Sequence, residues 1–194
     1  MPFELRASVH QTMRLSKIPQ KLRKAMGVAL REYAKGFHSR FVTDRLSGRH
    51  GRFGLNRRRG RLARSFTYEV NENALTVRMG WPRAPGSKTA RPHEFGATIR
   101  AKGNWLTVPL RDASTAEGVP RRARAGDWAK TFVIKVRGKL FIVQRRGKRL
   151  AFLYILKKSV RIPARLGLKQ RWGSSSERNI RLRIFNRVMR GSFD

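Results

Sequence analysis

The sequence predicts an α+β fold, with a long N-terminal helix packed on an antiparallel β-sheet, long basic loops and a C-terminal helix. Three features indicate it. Apolar residues repeat at helical spacing between residues 19 and 41. Short segments rich in β-branched and aromatic residues alternate with turn residues between 66 and 156, and a second amphipathic segment follows residue 174. The 194 residues, 40% of them hydrophobic, are enough for one domain with its own core.

The N-terminal part is predicted to form a strand and then a helix. Apolar residues at positions 3, 5, 7 and 9 alternate with mostly polar ones, which is the period of a half-buried strand. A helix is predicted from about Pro19, because proline suits the first helical position, to about Phe41. The apolar stripe of this helix consists of Leu22, Ala25, Met26, Ala29, Leu30, Tyr33, Phe37 and Phe41. Basic residues on the opposite face indicate a solvated surface or, alternatively, one laid against an acidic neighbour.

Residues 43–60 are predicted to be a long basic loop, because glycines interrupt the segment and few apolar residues are available to bury. Its arginines are candidate contacts to phosphate or to an acidic partner. The alternative is a solubilising loop that orders only when another subunit packs on it. The arginines concerned are Arg45, Arg49, Arg52, Arg57, Arg58 and Arg59.

Strands are predicted over 66–70 and 74–79, joined as a hairpin by a short turn. Residues 81–92 contain three prolines and are predicted to form a loop. Next, His93, Glu94 and Gly96 are interpreted as a structural turn, in which Gly96 supplies a conformation that other residues avoid. A strand carrying Ala97 and Ile99 follows, and a tight return leads into a second strand that ends at Pro109.

The second half is predicted to contain another irregular basic segment, 112–127, and then a three-stranded meander over 131–136, 139–144 and 150–156. The irregular segment supplies further candidate contacts to phosphate or acidic partners. They are Arg121, Arg122 and Arg124.

A C-terminal helix is predicted to begin with a capping box, in which Ser174 bonds the backbone of Glu177 and the Glu177 side chain reaches back. Gly191 ends the helix. One side is apolar, and the other carries the remaining candidate contacts, Arg183, Arg187 and Arg190.

No catalytic residue, metal site or cofactor is predicted, so an enzyme is not expected. Cysteine is absent, and none of the four histidines pairs with another at the spacing of a zinc site. His93 and Glu94 are adjacent, but neighbours in a strand point to opposite faces. No segment predicts a membrane span or a secretory signal.

The charge is extreme, because 46 lysines and arginines against 11 acids give a net charge of +35. Repulsion among so many positive charges destabilises the compact chain when it is alone. The charge therefore predicts that the protein binds a polyanion or an acidic surface. Arginine binds phosphate and carboxylate alike, so its abundance does not choose between them.

Three segments, 60–65 (GRLARS), 91–110 and 159–165 (SVRIPAR), resemble the minor tail and tail-completion proteins of long-tailed bacteriophages. That family shares features with the virion morphogenesis proteins of transposable phages. The resemblance spans roughly residues 15 to 168, with the segments in family order. It implies a tail-completion-like domain over 1–168, whereas the basic helix of 169–194 is an extension to which no family role carries over.

The resemblance further implies a structural protein of the virion neck or tail, assembled in the host cytoplasm and acting in tail completion or head–tail joining. Its implied partners are further copies of itself in a ring around the DNA channel, predicted to be a hexamer, the head–tail connector, and tail tube or terminator proteins. Genomic DNA in the channel is a further candidate partner. The same resemblance implies a structural role for the turn at His93, Glu94 and Gly96.

A basic nucleic-acid-binding protein of ribosomal or nucleoid type is the alternative, since charge and size also fit it. Against it, the sequence lacks an RNA-binding aromatic strand motif, a GXXG loop and helix-turn-helix spacing.

Overall fold

The predicted α+β class is confirmed by the structure, a computed structural model that describes residues 3–8, 19–48, 55, 60–83, 86–116, 118–122 and 124–192. The described helices are α1 (Gln20–Phe41), α2 (Arg61–Arg64), α3 (Gly86–Phe95), α4 (Leu168–Trp172) and α5 (Ser175–Arg190). The strands are β1 (Phe3–Ser8), β2 (Thr67–Asn71), β3 (Thr76–Trp81), β4 (Ala97–Arg100), β5 (Leu106–Pro109), β6 (Thr131–Val136), β7 (Lys139–Arg146), β8 (Arg149–Lys157) and β9 (Ser159–Ile162).

All strand pairs are antiparallel and form three sheets, in the orders β1-β3-β2, β4-β9 and β5-β8-β7-β6. The predicted hairpin and the predicted meander are both present. The meander reverses at Gly138 and Gly147, whose φ angles of 75° and 59° lie in the left-handed region that glycine tolerates.

The chain divides into two compact units, residues 1–95 with 164–194 and residues 96–163. This division differs from the predicted one, which is a domain over 1–168 with a separate extension over 169–194. The C-terminal part belongs to the first unit, because Leu166 and Leu168 are fully buried in its core and α5 packs along α1. Patterning along the chain could not reveal a unit built from its two ends.

The core of the first unit is aromatic. Phe37, Phe41, Phe66 and Trp81 are almost completely buried, and the rings of Phe66 and Trp81 lie 4.7 Å apart between centroids. The apolar stripe of α1 faces this core, as predicted, and β2 and β3 pack on the same helix. Trp81 Nε1 donates a hydrogen bond of 2.8 Å to the Leu62 carbonyl, which satisfies its one polar atom.

In the second unit a smaller core lies on one face of the four-stranded sheet. It contains Ala151, Leu153 and Tyr154 from β8, with Ala113 from the irregular segment packed on them. Trp128 packs on this cluster and donates from Nε1 to the Tyr154 hydroxyl at 3.1 Å.

Two predicted loops are partly helical. A π-helical turn (Val42–Leu46) continues α1 into the predicted loop 43–60, because Leu46 is buried in the core and Leu55 packs beside it. The predicted loop 81–92 contains the first part of α3, which places Pro92 inside a helix. Pro92 cannot donate a backbone hydrogen bond, yet Ala90 and Glu94 on the buried side of α3 fix this helix against the core.

The predicted tight return between β4 and β5 is also wrong. These strands do not pair with each other: β4 pairs with β9, and β5 pairs with β8. The Ala101 amide donates to the Lys158 carbonyl at 2.9 Å, so pairing continues past the end of β4. Each strand therefore pairs with a segment distant in the sequence instead of with its neighbour across the predicted return.

Candidate functional site

The predicted basic loop contributes a single described arginine. Arg45 lies in the π-helical turn and is half-buried, and its burial, with the nearby charge of Arg171, lowers the pKa of its guanidinium. Its carbonyl accepts the Leu55 amide at 2.9 Å. Arg45 stays a predicted contact to phosphate or an acidic partner, although its side chain is half-buried. The other five arginines lie outside the described residues: Arg49, Arg52, Arg57, Arg58 and Arg59.

The arginines of α5 differ from one another. Arg187 forms an ion pair with Glu32 of α1, so its charge is partly neutralised within the chain. Arg183 and Arg190 are exposed. The predicted face therefore offers two solvent-facing cations and one that helps to hold α5 on α1.

The irregular segment holds its arginines at the surface of the second unit. Arg121 donates from Nε to the Ser114 carbonyl at 3.0 Å, whereas Arg124 is exposed and its amide donates to Asp127. The guanidinium carbon of Arg122 lies 5.8 Å from the centroid of the Trp128 ring, a cation–π distance.

Trp128 has a second cationic neighbour that the sequence analysis missed. The guanidinium carbon of Arg146, near the end of β7, lies 6.0 Å from the same ring centroid. Gln144 positions this side chain: its Oε1 accepts Arg146 Nε at 3.2 Å, and its Nε2 donates to the Ala129 carbonyl at 2.8 Å. Arg149 lies directly opposite Arg146 across the β7–β8 pair. We call Trp128, Arg122, Arg146, Arg149 and Gln144 the Trp128 cluster.

The two units differ in how far acidic residues neutralise their positive charges. Residues 96–163 carry 17 lysines and arginines against three acids. Within the described part of the chain, every ion pair joins residues of the first unit. In the second unit, Asp112 and Asp127 accept hydrogen bonds from the backbone amides of Phe152 and Arg124. The cations of this unit are thus largely uncompensated.

The predicted turn at His93, Glu94 and Gly96, which we call the central motif, is not a local turn. His93 and Glu94 lie in the last turn of α3, and only Gly96 follows the helix, with a φ of 75°. The Glu94 carboxylate accepts the amides of Leu168 and Lys169 at 2.8 and 2.9 Å and so caps α4. The His93 carbonyl accepts the amides of residues 165 and 166 at 2.7 and 2.9 Å. The motif connects α3 to a segment more than 70 residues away.

An open cleft of about 580 Å³ lies beside this junction, lined in part by Glu94, Arg165, Lys169 and Gln170. Both carboxylate oxygens of Glu94 already accept backbone hydrogen bonds. This geometry assigns Glu94 to the folding of the 165–169 segment.

A buried carboxylate was missed by the sequence analysis. Ser174 caps α5 by accepting the Glu177 amide at 3.3 Å, as predicted. The Glu177 side chain, however, does not complete the capping box. It is fully buried and accepts from Arg40 at 2.7 Å and from Arg171 at 3.2 Å. Arg171 also pairs with Asp44 at 3.0 Å, so this network connects α1, α4 and α5.

Among the described residues, no group of three or more histidine or acidic side chains is placed to hold a metal ion. None of the described helices combines the length and the apolar character of a membrane span. Comparisons with protein families, curated proteins and solved structures gave no match to this chain.

The first prediction concerns Gly96. Gly96→Val should lower the free energy of unfolding by about 1–3 kcal/mol, because a β-branched residue tolerates a positive φ poorly. Gly103→Val is the matched control, since Gly103 has no atom within 4 Å of an added Cβ and no positive φ. Urea unfolding of both variants measures the difference. Equal stability of the two variants would contradict a backbone requirement at position 96.

Proposed function

We propose that the protein is a structural virion protein of a phage neck or tail, which completes the tail or joins it to the head as a ring around the DNA channel. The observation that carries the proposal is the relation among the three segments of the resemblance. Strand β4 of the second segment pairs with β9 of the third, and the His93 carbonyl accepts the Arg165 amide. Helix α2 of the first segment packs against α3. Segments distant in sequence thus contact one another inside each compact unit, which supports a structural role.

Assembly into a ring, taken as a hexamer, is supported by an open strand edge. β6 is an outer strand of its sheet, and Phe132, Val133 and Val136 are 42%, 56% and 38% exposed. An exposed apolar edge is a template for association unless it is covered, and closed rings cover such edges symmetrically. In this proposal the head–tail connector and the tail tube or terminator proteins are the further partners, and genomic DNA passes through the ring.

The second prediction tests this edge. Val133→Lys should leave the free energy of unfolding within about 0.5 kcal/mol of the parent, because the side chain is largely exposed. It should nevertheless block ring assembly and the joining of separately made heads and tails, because a lysine protects a strand edge from pairing. Val28→Lys, at a 45% exposed position on α1, adds the same charge and should assemble normally. Electron microscopy of the particle neck measures assembly. If the Val133→Lys protein forms normal rings, the β6 edge is not the surface through which the copies assemble.

A nucleic-acid-binding protein of ribosomal or nucleoid type is the second candidate, and the uncompensated cations of residues 96–163 favour it. Solution behaviour separates the two. A neck protein should form rings or join purified tails and connectors without RNA, whereas a ribosomal protein should need RNA to stay in solution.

A further inference from the structure

We propose that the Trp128 cluster is a site for the phosphate backbone of duplex DNA. This deepens the proposed function, on which it rests, by naming the part of the chain that meets the DNA in the channel. The guanidinium groups of Arg122 and Arg146 lie at the Trp128 ring, and Arg149 lies opposite Arg146 in the β7–β8 pair at the same end of the four-stranded sheet.

The electrostatics of the Trp128 cluster favour an anion as its ligand. Two guanidinium carbons lie 5.8 and 6.0 Å from the centroid of one indole ring, and no described carboxylate forms an ion pair with either. Arg146 and Arg149 also lie directly opposite each other in the strand pair, an arrangement that destabilises a sheet when the charges are alike. A bound anion would remove this repulsion. The cluster is therefore an anion site by its charge balance.

Two side chains of the Trp128 cluster, Arg146 and Trp128, are preorganised. Gln144 accepts Arg146 Nε and is itself fixed by its bond to the Ala129 carbonyl. Trp128 is fixed in turn by its hydrogen bond to Tyr154. Arg146 therefore loses less side-chain freedom on binding than an unsupported surface arginine, which lowers the cost of association. Its terminal nitrogens have no described hydrogen bond to a protein acceptor.

The shape of the sheet at this end favours duplex DNA over an acidic protein as the ligand. The first residue of β6 pairs with Gln144, so beyond this point the sheet continues only as the two-stranded tip of β7 and β8. Residues 145–149 of this tip read Arg-Arg-Gly-Lys-Arg. The major groove of DNA is wide enough for a two-stranded ribbon and is bordered by closely spaced phosphates. A narrow tip carrying four cations matches that geometry better than it matches a flat acidic surface.

The test measures binding of the full chain to a labelled DNA duplex by fluorescence anisotropy over a range of NaCl concentrations. The Arg122→Gln, Arg146→Gln, Arg149→Gln variant should reduce the slope of log affinity against log salt by about 0.9 per lost contact, or about 2.7 for three. Two duplexes of unrelated sequence should lose affinity equally, because phosphate contacts carry no base information. The matched control replaces three exposed arginines of the first unit by glutamine, namely Arg78, Arg83 and Arg178, none of which is a candidate contact.

The control variant has the same net charge and should keep most of the parent slope. Equal slopes for the two triple variants would overturn the proposal, because the attraction would then be a diffuse effect of net charge. A slope lost only by the control variant would overturn it as well. If polyglutamate displaces the duplex from the parent protein as effectively as unlabelled DNA of equal charge, the site belongs to an acidic protein and the DNA proposal fails.

A second pair of variants keeps every arginine. Gln144→Glu places a carboxylate against Arg146 Nε and should weaken DNA binding about tenfold, because the new ion pair competes with phosphate. Gln20→Glu, at the exposed start of α1, makes the same charge change and should bind DNA like the parent. Unchanged binding by Gln144→Glu would contradict the role of Arg146. Head–tail joining by the parent protein is measured separately. If the DNA-binding results are as expected but the parent protein does not join heads to tails, the proposed function is refuted and the DNA site is not.

Discussion

Replacing Glu177 by Gln is expected to destabilise the first unit by about 3 kcal/mol. Glu177 is fully buried, and its carboxylate accepts from Arg40 and Arg171. Removing its charge leaves Arg40 without its described charged partner and leaves Arg171 with Asp44 alone, and breaking a buried pair in this way costs about 3–5 kcal/mol. We expect the lower end, because the two arginine side chains remain 33% and 27% exposed and are partly solvated. For a chain of this size, 3 kcal/mol corresponds to a fall in Tm of about 6–12 °C.

The matched control is Arg187→Gln, which breaks the ion pair with Glu32. Both of these side chains are largely exposed, at 66% and 43%, so the loss should stay below about 1 kcal/mol. Calorimetric melting measures both variants. Because the chain has two compact units, only the transition of the unit that contains α1 and α5 should move for Glu177→Gln. If the two variants melt together, the buried network contributes no more than a surface pair.

The sequence predicted the strands and the two long helices well, because their apolar residues repeat with a clear period. α1 begins and ends within one residue of its predicted bounds, and the three strands of the meander lie where they were predicted. These segments carry their own signal: an apolar stripe for the helix, and β-branched residues between glycine reversals for the strands.

What could not be predicted depends on contacts between distant parts of the chain. Helix α3 contains Pro92 and follows two other prolines, so its sequence favours a loop, and only the burial of Ala90 and Glu94 in the folded protein stabilises it as a helix. The role of Glu177 was predicted from its local spacing to Ser174, but Arg40, its strongest partner, is 137 residues away. No local pattern contains that information.

In the candidate site, too, some residues could be predicted from local sequence and others depend on contacts between distant parts of the chain. The sequence predicts Arg122 as a contact to phosphate or an acidic partner because it lies in a basic segment, whereas it assigns no contact to Arg146. The pairing of β7 with β8 places Arg146 opposite Arg149, and Trp128 then brings Arg122 to the same end of the sheet. Once the meander is predicted, the opposition of Arg146 and Arg149 could have been found from the turn at Gly147. The position of Trp128 could not.

Replacing Glu94 by Ala is expected to lower the free energy of unfolding by about 2–4 kcal/mol, because two buried or half-buried amides, those of Leu168 and Lys169, lose a charged acceptor. Glu94→Gln should have an intermediate effect, since one of the two oxygens becomes an amide nitrogen that cannot accept. Glu69→Ala, at an exposed position on β2, makes the same charge change and should stay within about 0.5 kcal/mol of the parent.

Hydrogen exchange at individual amides makes the Glu94 experiment specific. The amides of Leu168 and Lys169 should exchange faster in Glu94→Ala than in the parent, and more so than amides of the same unit in β3, because α4 loses its N-terminal acceptor before the core opens. Exchange at these two amides that stays as slow as in the parent would show that α4 begins without help from Glu94. The link between the central motif and the C-terminal segment would then have to rest on the His93 carbonyl alone, which accepts the amides of residues 165 and 166.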